Sequence, residues 1–197
     1  MNAVKKPPLT DKAVQRRLFR EKRRVLSQDP AQKAALDREI QSRLILSREF
    51  READTVLVYV SRADEIATSM IIFAALANHK TVAVPRCSDD GTMRFYRIGG
   101  MSDLVTGRYG IPEPRSGCAP VGADARSLCV CPCLCCDMQG IRLGFGKGYY
   151  DRFLSGYEGT AAALCYADAL LPELVREPHD VPVGMIVTEH FIRPVSP

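Results

Sequence analysis

The first fifty residues carry apolar side chains three or four positions apart, the spacing of one face of an α-helix. One helix is predicted over residues 10–26, with Thr10 as its N-cap and Asp11 in its first turn, where the helix dipole favours a carboxylate. A second helix is predicted to begin with Asp29 as cap and Pro30 at its first position. The apolar positions are Val14, Leu18 and Val25 in the first helix, and Leu36, Ile40 and Leu44 in the second. The pattern predicts an N-terminal helical hairpin.

From Thr55 onward the pattern changes to short apolar and β-branched runs. Residues 55–60 (TVLVYV) show no polar alternation, which is typical of a strand buried on both faces. An apolar helix at 68–78 and a strand at 81–84, closed by Pro85, complete a β-α-β unit, which indicates a parallel sheet. Further segments are predicted as strands at 93–97, 128–131, 161–166 and 184–188, and as a rigid loop at 110–114 (GIPEP).

These elements predict one three-layer α/β domain over residues 1–197, with a mixed, largely parallel, Rossmann-like sheet. The helices of residues 1–50 are expected to precede the sheet and pack on it. The length of 197 residues is close to that of a single domain. No internal repeat, low-complexity linker or second domain is indicated.

The composition excludes several classes of protein. Hydrophobic residues make up 46% and charged residues 25%, close to the averages for globular domains, so a disordered chain, a collagen-like repeat or a coiled-coil rod is not expected. No stretch approaches the ~18 consecutive apolar residues of a membrane span, and the N-terminus lacks an apolar signal-peptide core. We therefore expect a cytoplasmic protein that does not bind a membrane.

Positive charge is concentrated at the start of the chain. The net charge is +4, from 27 Lys and Arg against 23 Asp and Glu, and seven basic residues lie between Lys12 and Arg24. Such a helix suits the phosphates of a nucleic acid, or is simply a solvated face. The rest of the chain is close to neutral and has no second basic or aromatic surface, so a nucleic-acid partner is not expected.

Eight cysteines are present, and five of them lie between Cys129 and Cys136. A zinc ribbon requires a second pair of ligands at similar spacing, which the sequence lacks. Alternate side chains of a strand are expected roughly 6.5–7 Å apart, whereas two thiolates on one zinc lie about 3.8 Å apart. We therefore interpret the cluster as reduced thiols that pack as small apolar residues.

Residues 140–152 (GIRLGFGKGYYDR) carry the densest chemical signal. Three alternating glycines are unfavourable in a strand or helix, and they leave backbone N–H groups free to surround an anion. The glycines are Gly144, Gly146 and Gly148, and the basic side chains beside them are Arg142 and Lys147. The pattern indicates phosphate binding. It is neither a P-loop nor a dinucleotide fingerprint, because Gly148 stands in place of Ser or Thr and Tyr149 in place of glycine.

This motif resembles the signature of the 5-formyltetrahydrofolate cyclo-ligase family. Supporting similarities are the segment 59–68 (YVSRADEIAT), the loop 110–114, the pair Lys12 and Arg16, and the segment 179–189. Two positions depart from the family pattern. Phe145 stands where some members carry a basic residue, so a third cation there is missing, and Cys133 follows Pro132 where glycine is usual.

The resemblance implies an ATP- and Mg²⁺-dependent enzyme that converts 5-formyltetrahydrofolate to 5,10-methenyltetrahydrofolate, with release of ADP and phosphate. ATP would phosphorylate the formyl oxygen, and N10 would then attack the activated carbon. By resemblance, the nucleotide contacts are Lys12, Arg16, Arg142, Leu143, Gly144, Phe145, Gly146, Lys147, Gly148, Tyr149 and Tyr150, with Lys147 and Arg142 catalytic. The folate contacts are Val60, Glu65, Phe145 and Tyr149, and the metal ligands are Asp151 and Asp180.

Other interpretations remain open at this stage. Asp151 suits a helix cap, Asp180 a turn between prolines, and Glu65 the start of a helix. The same scaffold serves sugar-phosphate isomerases and CoA transferases, and the basic first helix suits a nucleic-acid-binding module. A monomer that acts on a small molecule is the expected form of the protein.

Overall fold

The computed structural model describes residues 11–88, 90–107 and 110–195. Its α-helices are α1 (Lys12–Leu26), α2 (Pro30–Leu46), α3 (Arg48–Glu52), α4 (Ser69–Ala77) and α5 (Tyr149–Leu154). Its strands are β1 (Thr55–Val58), β2 (Thr81–Cys87), β3 (Met93–Ile98), β4 (Leu104–Thr106), β5 (Pro112–Pro114), β6 (Pro120–Val121), β7 (Ser127–Cys131), β8 (Cys135–Asp137), β9 (Arg142–Leu143), β10 (Thr160–Leu164), β11 (Leu170–Leu171), β12 (Met185–Val187) and β13 (Ile192–Pro194).

Eight strands form one sheet in the order β13-β12-β10-β7-β1-β2-β3-β6. The five strands from β12 to β2 run parallel, and β13 and β3 join them antiparallel on either side. Every residue of β7, and all but the first residue of β1 and of β10, is buried. This burial explains why these segments are unbroken apolar runs without alternation. The predicted mixed, largely parallel sheet is confirmed.

The direction of strand addition reverses between β1 and β7. The crossovers β1–α4–β2 and β7–α5–β10 proceed in opposite directions along the sheet. Because such connections are right-handed, α4 and α5 lie on opposite faces, which gives three layers. α5 packs against β3, where the ring centroids of Phe153 and Phe95 are 4.9 Å apart. The predicted α/β fold class is therefore confirmed.

The two N-terminal helices occur where the sequence predicts them. Asp29 caps α2 by accepting a hydrogen bond from the Gln32 amide, and Pro30 is its first residue, as predicted. α2 packs on α4. Side chains of α1 donate hydrogen bonds to residues 140–152, called the glycine-rich segment below, and to residues 133, 168, 177 and 180. The pairing of α1 with α2 as a hairpin stays a prediction. None of the described helices is long and apolar enough to cross a membrane.

Two local predictions are wrong, and a third concerns a residue outside the described part of the chain. β2 does not end at Pro85, because pairing with β1 stops at Ala83 and the missing N–H of Pro85 falls where only β3 is paired. The predicted loop at 110–114 contains β5, which pairs antiparallel with β4. Thr10, the predicted cap of α1, lies outside the described residues; Asp11 caps the helix through a 2.7 Å hydrogen bond from the Ala13 amide.

Candidate active site

A cleft of about 1050 Å³ opens at the carboxyl ends of β1 and β7, where the strand order reverses. Open α/β sheets bind their ligands at this position. The cleft is lined by α1, the segment after β1, β5, the glycine-rich segment and residues 177–181. Every residue predicted for the site lines it: Lys12, Arg16, Val60, Glu65, Arg142, Leu143, Gly144, Phe145, Gly146, Lys147, Gly148, Tyr149, Tyr150, Asp151 and Asp180.

The glycine-rich segment turns sharply into α5. Gly146 and Gly148 have φ angles of +94° and +66°, a region that residues with side chains rarely adopt. A Cβ at Gly146 would lie only 3.3 Å from the guanidinium carbon of Arg16. Arg16 also donates a 3.1 Å hydrogen bond from Nε to the Gly144 carbonyl. The glycines therefore allow an arginine of α1 to lie directly against the loop.

The basic stripe of α1 faces this cleft. Lys12, Arg16 and Arg20 are spaced one helical turn apart, and all three line the cleft. Lys147, which is exposed on the loop, has an ammonium group without a hydrogen bond or ion pair to any described residue. Positive charge from two separate elements thus converges on one ligand-sized space, which suits a polyanion.

Lys12 is held by two carboxylates. Its ammonium lies 2.5 Å from Oε2 of Glu177, and 2.6 and 2.8 Å from the two carboxylate oxygens of Asp180. Burial lowers the pKa of Lys12, but the hydrogen bonds to Asp180 and Glu177 raise it by more, so the pKa lies above its ordinary value. Burial raises the pKa of Asp180, but hydrogen bonds from Lys12 and from the Glu177 amide lower it by more. Both groups are therefore charged at neutral pH.

Glu177, His179 and Asp180 have ligand atoms within 4.8 Å of one another, a spacing that can hold a metal ion. The isolated position of His179 in the sequence gave no reason to assign it a role. The Lys12 ammonium lies against the two carboxylates of this group. A protein cation therefore occupies the position that a metal ion would take at Asp180.

The buried side chain of Arg142 pairs with Asp151 next to the backbone of Val181, the residue that follows Asp180. The Arg142 side chain is 3% exposed, and its Nη1 donates to Oδ1 of Asp151 at 3.0 Å and to the Val181 carbonyl at 2.9 Å. Oδ1 of Asp151 also accepts from the Val181 amide, whereas its Oδ2 has no hydrogen bond with any described residue. Nη2 of Arg142 is buried without a partner. The pair therefore leaves one carboxylate oxygen and one guanidinium nitrogen for a ligand.

Glu65 is fixed at the end of the segment after β1. It is 7% exposed, and its Oε2 accepts a 2.9 Å hydrogen bond from the Arg62 amide. Lys33 of α2 donates to the Glu65 carbonyl at 2.7 Å and to Asp37 at 2.6 Å, and Asp37 accepts from the Ala67 amide. Lys33 and Asp37 thus brace the loop that carries Glu65. Their i, i+4 spacing on a predicted helix was the signal that could have found them.

Phe145 contacts two arginines. The guanidinium carbons of Arg62 and Arg20 lie 4.8 and 5.2 Å from the centre of its ring, within cation–π distance. Position 145 itself carries no cation, but α1 and the segment after β1 each place an arginine guanidinium against it. Nothing in the sequence pattern singled out Arg62.

The remaining predicted nucleotide contacts differ in which of their atoms are accessible from the cleft. The Leu143 side chain is buried in the core, so only its backbone can reach a ligand. Tyr149 lies under the Arg152 guanidinium and donates a long 3.4 Å hydrogen bond to the Ser88 carbonyl. The hydroxyl of Tyr150 is buried without a partner, and burial holds its pKa well above the ordinary value.

A model of the 5-formyltetrahydrofolate cyclo-ligase family matches residues 9–189. The chain belongs to this family. A mitochondrial 5-formyltetrahydrofolate cyclo-ligase of Arabidopsis thaliana is 29% identical over 220 residues, covering 91% of this chain and 78% of the relative. The 5-formyltetrahydrofolate cyclo-ligase of Escherichia coli K12 is 28% identical over 177 residues, covering 87% and 96%. The 5,10-methenyltetrahydrofolate synthetase structure of Aquifex aeolicus superposes with a TM-score of 0.81 at 29% identity, covering 93% and 92%. The predicted family and enzyme class are confirmed.

The cysteine cluster of this cyclo-ligase family member needs one correction. Cys129 and Cys131 bring their sulfur atoms to 3.8 Å, not the spacing expected along a strand, because the two side chains lean toward each other. No third ligand atom of a His, Cys, Asp or Glu lies near enough to complete a metal site among the described residues. Six of the eight thiols are buried and all are free. Their packing role agrees with the structure.

Proposed function

We propose that the protein catalyses the ATP- and Mg²⁺-dependent conversion of 5-formyltetrahydrofolate to 5,10-methenyltetrahydrofolate, releasing ADP and phosphate. One observation carries the proposal: the cleft combines the cationic glycine-rich segment on one wall with a buried acid on another, Glu65, which has no cationic side-chain partner among the described residues. The first suits a polyphosphate and the second suits the N–H groups of a pterin ring. The names of the relatives support the conversion of 5-formyltetrahydrofolate to 5,10-methenyltetrahydrofolate.

The reaction requires two displacements. A lone pair of the formyl oxygen attacks the γ-phosphorus, the bond to the β–γ bridging oxygen breaks, and ADP leaves. N10 then attacks the formyl carbon, the carbon–oxygen bond breaks with release of phosphate, and N10 loses its proton to water. Phosphoryl transfer of this kind depends on positioning and charge neutralisation and needs no protein nucleophile.

The cationic residues would supply that neutralisation. Arg16 is fixed against the loop by its bond to the Gly144 carbonyl, and Lys147 has no competing protein partner among the described residues. We assign Lys147 and Arg142 to the transferred phosphate, with the unpartnered Nη2 of Arg142 as donor. Lys12 and the backbone of 142–150 would contact the rest of the nucleotide. Lys12 would exchange one of its carboxylates for phosphate oxygens.

The donor set fits Mg²⁺ at Asp151. Mg²⁺ takes one or two carboxylates together with substrate phosphates and water, and Oδ2 of Asp151 is available in the cleft. At Asp180 both oxygens accept from Lys12, so this carboxylate can serve as a ligand only when Lys12 turns to the nucleotide. When bound, Mg²⁺ would neutralise phosphate charge. We propose Asp151 as the first ligand and Asp180 as the second.

The folate would lie against the segment after β1. Glu65 is held by its Arg62 and Lys33 contacts, and its Oε1 has no hydrogen bond with any described residue, so it can accept from the pterin ring. Val60 would contribute its backbone. Phe145 and Tyr149 would contact the folate from the glycine-rich segment across the cleft.

The test uses purified protein, 5-formyltetrahydrofolate and Mg²⁺, with and without ATP, and follows the absorbance of the methenyl product. We expect product only with ATP, and a loss of at least roughly a hundredfold in turnover for Lys147→Met, because a charge that neutralises the transition state is removed. Arg38→Met, an exposed charge on α2, is the matched control and should keep wild-type turnover. Folded wild-type protein that forms no product with ATP contradicts the proposal.

We further propose that residues 1–197 act as one cyclo-ligase domain, monomeric and cytoplasmic. The inward-facing stripe of α1 supports a small-molecule ligand rather than a nucleic acid. Light scattering of the purified protein tests the monomer, and localisation of a tagged chain tests the compartment. A stable dimer or an organellar location would contradict the respective part.

A further inference from the structure

Two arginines converge on Phe145 from different parts of the chain. Arg20 belongs to the third turn of α1, and Arg62 follows β1, yet both guanidinium carbons lie within 5.2 Å of the ring centre. Both residues line the cleft. The aromatic ring is therefore a platform that holds two positive charges at one point of the wall.

Each guanidinium has donors to spare. Arg20 has no hydrogen bond or ion pair with any described residue. Arg62 donates from Nε and Nη2 to Asp64, but its Nη1 donates to none of the described residues. The Arg62 side chain is 38% exposed, and Arg20 is also exposed. These two cations therefore lie at the solvent-facing part of the cleft with unsatisfied donors.

Arg62 is directly linked to the proposed folate wall. Its backbone amide donates to Oε2 of Glu65 at 2.9 Å. The nucleotide side of the cleft is supplied by a different set of charges, since Arg16 lies against Gly146 and Arg142 lies against Asp151. Arg62 thus joins the folate wall through its backbone, while its guanidinium lies over the Phe145 ring.

We infer that Arg20 and Arg62, positioned by Phe145, bind the carboxylates at the glutamate end of the reduced folate. This inference rests on the proposed function. The substrate carries a pterin ring at one end and ionised carboxylates at the other. Glu65, at 7% exposure, suits the ring, and the exposed arginines suit the carboxylates, which retain contact with water. Guanidinium groups form charge-assisted hydrogen bonds with carboxylates in this arrangement.

The experiment compares Arg20→Met, Arg62→Met and the double variant with the wild type. Methionine keeps an apolar stem against Phe145 and removes the charge. We expect each single variant to raise the KM for 5-formyltetrahydrofolate about tenfold, the effect of one charge-assisted hydrogen bond, with kcat and the KM for ATP unchanged. Arg17→Met, an exposed arginine on the same helix that does not line the cleft, is the matched control and should behave as wild type.

A second arm uses the carboxamide of 5-formyltetrahydropteroic acid, which lacks the glutamate and carries no ionised carboxylate. The wild type should bind this compound as weakly as the double variant binds the complete substrate. The variants should bind this compound with the same affinity as the wild type does. A rise in the KM for ATP instead would assign the pair to phosphate and overturn the inference, as would an unchanged KM for the folate. A folded wild type that neither turns over nor binds 5-formyltetrahydrofolate would overturn the proposed function itself.

Discussion

Asp180→Asn tests whether the contact with Lys12 is a stabilising buried ion pair. The Asp180 side chain is 7% exposed and that of Lys12 11%, with 2.6 Å between the closest charged atoms. An effective dielectric constant of about 20 gives an attraction of roughly 6 kcal/mol at this distance, most of which is offset by desolvation. Breaking a fully buried pair costs about 3–5 kcal/mol, but Glu177 remains as a second partner of Lys12. We therefore expect a loss of about 2 kcal/mol in unfolding free energy at pH 7.

The pH dependence provides the decisive check. The pKa of Asp180 is lowered in the folded protein, so its contribution is present above the ordinary Asp value of about 3.9 and disappears as the pH falls through the folded value. The pKa of Lys12 is raised, so its contribution is lost only above about pH 10.4. Urea unfolding at pH 7 and pH 3 measures the difference. Asp54→Asn breaks an exposed pair with Arg126 and should cost under about 0.5 kcal/mol. The reasoning is refuted if Asp180→Asn costs no more than this control at pH 7, or if its cost is as large at pH 3 as at pH 7.

Three further outcomes are expected. Gly140→Ala places a Cβ 2.7 Å from the Val183 carbonyl oxygen at a φ of +80°, so urea unfolding should show a loss of at least about 2 kcal/mol in unfolding free energy. The control Gly117→Ala places its Cβ in open space and should leave the unfolding free energy almost unchanged. A thiol reagent should modify two cysteines in the native protein, Cys87 and Cys118, and all eight in urea; early modification of more would contradict the buried cluster. Asp151→Asn keeps an acceptor for Arg142 but removes charge at Oδ2, so half-maximal turnover should need at least roughly tenfold more Mg²⁺, and an unchanged requirement would remove Asp151 from the metal site.

Local chemistry was enough to predict most elements of the fold. The N-cap and first residue of α2 follow directly from Asp29 and Pro30, and the buried strands are recognisable by their unbroken apolar runs. The extension of β2 past Pro85 was not predictable, because it depends on which neighbour is paired at that residue. The pairing of β4 with β5 likewise depends on a contact that no short window contains.

The candidate site also contains residues that the sequence predicts and contacts that it does not. The glycine-rich segment is recognisable because its signal is contiguous, and the resemblance it carries led to residues that all line one cleft. The Lys12–Asp180 contact joins positions 168 residues apart, and Arg62 reaches Phe145 only because β1 and the loop end at the same edge of the sheet. No spacing pattern encodes such contacts. The approach of Cys129 to Cys131 depends on side-chain rotation, which a strand pattern does not specify.

Transfer of the formyl oxygen tests the central claim most directly. The substrate is prepared with ¹⁸O in the N5-formyl group and converted by the wild-type protein with unlabelled ATP in unlabelled water. Attack of the formyl oxygen on the γ-phosphorus predicts one ¹⁸O in each inorganic phosphate released, in an amount equal to the methenyl product and to ADP. Phosphate without label, or label recovered in water, would contradict the phosphorylated intermediate and the role assigned to the cationic loop.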